Sequence, residues 1–167
     1  GNQFFGDADI TAYMDNWYQT LGVQVVFASG GGIYTSAAEA AAKVGGKLIG
    51  VDVDQSANIN TYGEGMCVTS AMKGLAETVK HMLSEVVAGN FANYGGKIET
   101  LGLVNGDDPT ANYVQLPMET TQWGDGFTQD DYKALVKAMY DGEVTVSNDI
   151  SAMPATTITV NFAGNIK

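Results

Sequence analysis

The sequence predicts an α/β fold in which a parallel sheet is flanked by helices. Three observations carry this. Helix-like and strand-like periodicities alternate through the first half of the chain, the connections between them are short, and the strand-like runs are apolar throughout. Apolar runs of that kind belong to parallel strands covered on both faces, and consecutive β-α-β units wind right-handed and lay their strands side by side.

The elements follow in order. Ile10, Tyr13, Met14, Trp17, Tyr18 and Leu21 recur at steps of three and four, one helix face, with Asp7 or Asp9 as N-cap and Gly22 as stop. The run VQVVFAS (23–29) is a buried strand. Gly30, Gly31 and Gly32 follow it. An alanine-rich helix comes next, which Ser36 and Glu39 open with capping-box spacing and Gly45-Gly46 closes. KLIGVDVD (47–54) is the second buried strand, and Gln55 to Gly65 is polar and turn-rich. Met72, Leu75, Ala76, Val79, Met82, Leu83 and Val86 predict a long amphipathic helix over Thr69–Ala88, capped by Thr69 or Ser70. KIETLGLV (97–104) is a strand candidate, NGDDPTAN a turn, and YVQLP a short strand closed by Pro117. TTQWGDGFTQDD (120–131) is a surface loop. Tyr132, Leu135, Val136 and Met139 give a last helix from Thr128 to Gly142, and TTITVNF (156–162) has strong β-propensity. No fixed-period repeat is visible.

The chain has 167 residues, the size of one compact domain or a large part of something bigger. Eight basic against 19 acidic residues give a formal charge of −11. That balance speaks against a nucleic-acid partner and against docking to anionic lipid, both of which need a basic face. No stretch approaches the roughly 18 consecutive apolar residues of a membrane span. The opening GNQFFGDAD carries neither a starting Met nor a signal-peptide pattern and reads as a mature product or an excised piece. The single cysteine, Cys67, sits beside Met66 and Val68 and reads as a small buried hydrophobe.

Three features carry candidate chemistry. In a parallel sheet, ligands bind beyond the carboxyl ends of the strands. Gly30 to Gly32 stand at such an end, ahead of a helix, where bare backbone lets a ligand approach; a tight turn needing positive φ would use glycine equally. Gly30 and Gly32 match the first two positions of a dinucleotide fingerprint, and Asp52 stands 20 residues beyond Gly32, but Thr35 takes the third glycine's place. Asp52 and Asp54 end the second strand, where a carboxylate can accept two hydrogen bonds from vicinal hydroxyls or simply shape a turn. Lys73 falls in the first turn of the long predicted helix, a position the helix dipole disfavours, so it serves a ligand hydroxyl or is merely solvated. Phe27, just ahead of the glycines, suits stacking on a flat ring as well as packing. His81, Trp17 and the methionines are assigned to packing or surface. No nucleophile–base pair, cofactor motif or metal-ligand cluster stands out, which argues against an enzyme.

Taken together, VVFASGGGIYTSAAEAA, KLIGVDVDQ, VTSAMKGLAETV and ETLGLVNG resemble the basic membrane protein family, substrate-binding lipoproteins of ABC transporters whose best understood members are purine nucleoside receptors. The resemblance runs from about Phe5 to Gly142. It implies a type I periplasmic-binding-protein fold, two α/β lobes holding a nucleoside between them. On that basis Phe27 corresponds to the aromatic that stacks on the base, Gly32 to the backbone contact with the ligand, beside the glycine-loop candidate Gly31, Asp52 to the carboxylate on the ribose hydroxyls, and Lys73 to its supporting lysine. No cofactor is implied; the partners are the nucleoside and permease subunits. The location is extracytoplasmic, with anchoring through an N-terminal lipid that this sequence does not contain. Such proteins run to roughly two-domain length, so the chain corresponds to the second lobe plus segments returning to a missing first lobe. The expected division is 1–68 in the second lobe, 69–117 as a crossover mainly in the first, and 118–167 returning. The apolar face of the Thr69–Ala88 helix is then expected to stand exposed. A sugar-binding protein of the same fold and a nucleotide-cofactor enzyme of Rossmann type are the alternatives.

Overall fold

The computed structural model describes residues 4–164. Helix α1 (Ala8–Asp15) starts at Asp7, whose carboxylate accepts from the Ile10 amide at 2.8 Å, an ordinary side-chain N-cap. It runs into a π-helical turn over Asn16–Thr20. The wider turn moves the buried face: Ile10, Met14 and Tyr18 enter the core, whereas Tyr13 and Leu21, expected on the same face, stay exposed. The Tyr18 hydroxyl donates to the Lys47 carbonyl at 2.7 Å, and burial pushes its pKa up to about 12.

Strand β1 (Val25–Phe27), helix α2 (Tyr34–Ala42) and strand β2 (Lys47–Asp52) form the first β-α-β unit. β1 pairs with β2 in parallel, Phe27 opposite Ile49. The alanines of α2 have a packing reason. Ala37, Ala38, Ala40 and Ala41 are all buried, in one cluster with Ile10 and Met14 of α1 and with Val26 and Leu48 of the sheet. Side chains this small let one helix approach a second helix and a sheet at once.

The capping box expected at Ser36 and Glu39 is absent. α2 begins two residues after Gly32, with Ile33 at its N-cap and no side-chain cap. Ser36 instead lies inside the helix and binds the Asp7 backbone, accepting from its amide and donating to its carbonyl, both at 3.0 Å. Glu39 accepts from the Thr11 hydroxyl at 3.0 Å. The two residues tie α2 to α1, a tertiary use of the same spacing.

After the short helix α3 (Ser56–Ile59) the chain enters strand β3 (Cys67–Lys73), parallel to β2 with Asp52 opposite Met72. A helix starting at Thr69 was expected here. β3 is a strand because β2 offers an unpaired edge and Cys67–Ala71 are small or β-branched residues that fit against it. The helix α4 starts only after Gly74 and spans Leu75–Val87. A side chain at Gly74 would run into the backbone of Asn112 and Tyr113. Residues 69–73 therefore lie in the sheet. Strand β4 (Val114–Gln115) closes the order β1-β2-β3-β4, antiparallel to β3.

Helix α5 (Gln129–Tyr140) has a full capping box between Thr128 and Asp131, and Gly142 follows it at φ 79°. Neither KIETLGLV nor TTITVNF forms a strand: residues 97–104 are irregular, and every residue from 141 to 164 is exposed. Strand propensity alone does not make a strand where no edge is offered for pairing.

The core lies between the sheet and the α1–α2–α3 layer. The opposite sheet face carries Val25, Phe27, Ile49 and Val51 and stays at least partly open. α4 buries none of its residues, and Leu75, Val79, Leu83 and Val86 point their apolar stripe outward, as expected for that segment. His81 on its inner side meets Tyr94 and Tyr113 edge-on at 5.7 and 6.3 Å.

Leu48 is 0% exposed, whereas Val79 and Leu83 are 57% and 59% exposed. Leu48→Ala is expected to cost about 2–5 kcal/mol in urea unfolding, and Val79→Ser or Leu83→Ser less than about 0.5 kcal/mol. Equal losses at all three positions would mean that α4 is covered in solution.

Candidate functional site

Phe27, Asp52 and Lys73 are the last residues of three adjacent parallel strands. The sheet therefore brings together, at one carboxyl edge, three of the five residues singled out from sequence. Gly31 and Gly32 lie in the loop that leaves β1 at the same edge. Phe27 is 50% exposed. The Lys73 ammonium stands 2.7 Å from Asp52 Oδ1. Lys73 is thus a strand-end residue aimed at its neighbour's carboxylate, and the helix-dipole argument for it does not apply. Both partners remain well exposed, so the pair contributes at most about 1 kcal/mol to folding.

Asp52 has φ 68°, the only positive value among non-glycine residues described. The Val53 amide donates to the Val51 carbonyl at 2.8 Å, so Asp52 is the centre of a three-residue turn of the rare, strained kind. Asp54 is occupied otherwise. Its carboxylate accepts from the Ser56 amide at 2.9 Å and from the Thr120 hydroxyl at 2.7 Å.

The glycine loop is shaped by the chain itself. Gly32 donates its amide to the Phe4 carbonyl at 2.6 Å, and Phe5 bridges to Gly32 in parallel. Gly31 has φ 44°, and a Cβ there would lie 3.0 Å from the Phe4 oxygen. The triple glycine thus admits the Phe4–Phe5 backbone. The Gly32 amide, a candidate donor to a ligand, is spent on that contact.

The residues that brace this edge were not visible as a pattern. Gln55 and Ser70 are buried polar groups behind the Asp52 turn. From the far side a strap over Thr120–Gln122 crosses β3: Gln122 donates its amide to the Val68 carbonyl at 2.8 Å, and Thr121 shares a 2.7 Å hydrogen bond with Thr69. The expected surface loop is therefore pinned to the sheet, and Trp123 stacks on Tyr132 of α5 at 5.5 Å. Cys67 lies beneath the strap. Burial pushes its thiol pKa up, in keeping with a packing role. A separate open hollow of about 430 Å³, lined by Asp9, Ala12, Tyr13 and Asn16, lies along α1 and touches none of the strand-end residues.

Residues 2–107 match the Bmp family, described as PnrA-like ABC transporter substrate-binding proteins. The chain belongs to this family. The match holds α1 to α4 and all five candidate residues, and ends ahead of β4 and α5. No curated protein matches the sequence. Membership places the chain among substrate-binding proteins, a class that takes up a small molecule outside the cytoplasm and works with a permease, and sets it apart from the Rossmann-type enzymes. Among the described residues no helix is long and apolar enough to cross a membrane.

Burial alone would raise the Asp54 carboxyl pKa, but the hydrogen bonds from Ser56 and Thr120 outweigh it and hold the group below its usual range. A depressed folded pKa adds stability above the unfolded value, near 3.9, and loses it as the pH falls through the folded one. Asp54→Asn is expected to lower the thermal midpoint at pH 7, and the gap to wild type should close below about pH 4. A gap that persists unchanged at low pH would assign the loss to packing.

Proposed function

We propose that this chain supplies the second-lobe half of a cleft that holds a nucleoside, purine in preference, for delivery to an ABC permease. The observation that carries the reading is the row Phe27, Asp52, Lys73 at the ends of three neighbouring parallel strands. Asp52 presents carboxylate oxygens to vicinal hydroxyls, and Lys73 both balances its charge and keeps further N–H donors for a ribose oxygen. Phe27 offers a ring face to a base. Gly31 and Gly32, packed on the Phe4–Phe5 backbone, carry the loop that borders the ligand at this edge.

The stagger of the strands favours an elongated ligand. Phe27 stands level with Ile49, three residues short of Asp52, which is roughly 10 Å along a strand. An aromatic and a carboxylate that far apart fit the two ends of a nucleoside better than one monosaccharide. Residues 75–113 leave the sheet after β3 and the chain rejoins it at β4, and the outward apolar stripe of α4 suits cover by the first lobe of the receptor. In this reading the protein is extracytoplasmic and tethered by an N-terminal lipid. A sugar ligand is the second reading, because the Asp52–Lys73 pair would serve any vicinal diol.

Calorimetry on the two-lobed receptor with inosine, guanosine, adenosine and ribose separates them. Asp52→Ala is expected to weaken nucleoside binding about ten- to hundredfold, from the loss of charged hydrogen bonds of about 1.5–3 kcal/mol each. Ribose binding as tightly as any nucleoside would remove Phe27 from the site and leave the sugar reading. An unaffected Asp52→Ala variant would remove both.

A further inference from the structure

One buried side chain joins the two halves of this edge. Gln55 is 6% exposed. Its Oε1 accepts from the Val51 amide at 3.0 Å, and its Nε2 donates to the Gly31 carbonyl at 3.2 Å. Its own amide donates to Ser70 Oγ at 3.1 Å. Val51 is the first residue of the strained turn around Asp52, and Gly31 is the centre of the glycine loop, so a single planar amide spans from the turn to the loop. β2 makes room for it at Gly50, where a Cβ would lie 2.6 Å from Ser70 Oγ and 2.9 Å from Gln55 Cβ.

We infer that Gln55 is a positioning residue for the ligand: it clamps the Asp52 turn to the glycine loop, so that the carboxylate and the bare backbone present one surface. The inference rests on the reading of Asp52 and Gly31 as ligand-facing. The chemistry demanded of the clamp is specific. Val51 N–H needs an acceptor and the Gly31 carbonyl needs a donor within one side chain. A carboxamide supplies both, a protonated carboxyl supplies both, an ionised carboxylate supplies only the acceptor, and a thioether supplies neither in useful strength. The fully buried Ser70 hydroxyl fixes the backbone of the same residue, so side-chain changes leave its anchor in place.

Gln55→Glu and Gln55→Met distinguish a clamp from simple filling of space. In the unliganded chain, amide exchange and resonance positions are followed by NMR at pH 8 and pH 5. Gln55→Met should lower protection of the Val51 amide at least tenfold at both pH values. Gln55→Glu should keep that protection but shift the Gly31 and Gly32 resonances at pH 8, where the introduced carboxylate faces the Gly31 carbonyl. Burial raises such a carboxyl's pKa, so the resonances should return to their wild-type positions at pH 5. In the two-lobed receptor, nucleoside affinity of Gln55→Glu should fall about tenfold at pH 8 and recover at pH 5, with Asp52→Ala as the control that stays weak at both. Gly31 and Gly32 resonances unmoved at pH 8, or moved without any loss of affinity, would overturn the inference. Wild-type receptor that binds neither nucleoside nor ribose would dispose of the ligand reading instead, while the resonances still decide whether the clamp exists.

Discussion

Because β2 pairs in parallel with β1 on one side and β3 on the other, all three strands must finish at the same edge of the sheet. That constraint generates the rest. A parallel strand hands its last side chain, its following loop and its open backbone groups to one side of the molecule. Three such strands hand over an aromatic ring, a carboxylate and an ammonium group together. The helices α1 and α2 matter to the site chiefly because their packing on Val26 and Leu48 keeps these strands in place.

The polar groups near this edge divide into those that build it and those left facing out. Asp54, Gln55, Ser70 and Thr120 spend their hydrogen bonds within the fold. The Gly32 amide is likewise spent on Phe4. Among the described residues, the Asp52 and Lys73 side chains are tied only to one another, at a position exposed enough that their pairing adds little to stability. A strained turn at Asp52, braced by a buried amide, is costly geometry to maintain for a solvated ion pair alone. That contrast is the physical basis for the proposal that Asp52, and not Asp54, meets a ligand.

How much was legible in the sequence depended on whether the signal was local. The first β-α-β unit could be read because apolar runs, glycines and alanines each report on their immediate surroundings. β3 could not: VTSAMKG carries helix-compatible spacing, and only the vacant edge of β2 makes it a strand. KIETLGLV and TTITVNF failed in the opposite sense, with the right composition but no edge to join. Phe27, Asp52 and Lys73 were singled out through family resemblance and motif position, and what the structure adds is their common place at the strand ends, Lys73 in β3 and not in the helix expected there. Gln55 stood within the motif GVDVDQ without being assigned, since its role lies in contacts 15 and 24 residues away, with Ser70 and Gly31. Ser36 and Glu39 show the same limit, because a capping-box spacing turned out to serve a neighbouring helix.

The central claim is that the carboxyl edge of β1, β2 and β3 is a ligand surface. Crystals of the proposed two-lobed receptor grown with a purine nucleoside test it most directly. The account predicts Phe27 against the base, two ribose hydroxyls within hydrogen-bond distance of the Asp52 carboxylate, and the Lys73 ammonium still paired to it. A nucleoside bound elsewhere, such as in the hollow along α1, with the Asp52–Lys73 pair left in solvent, would contradict it.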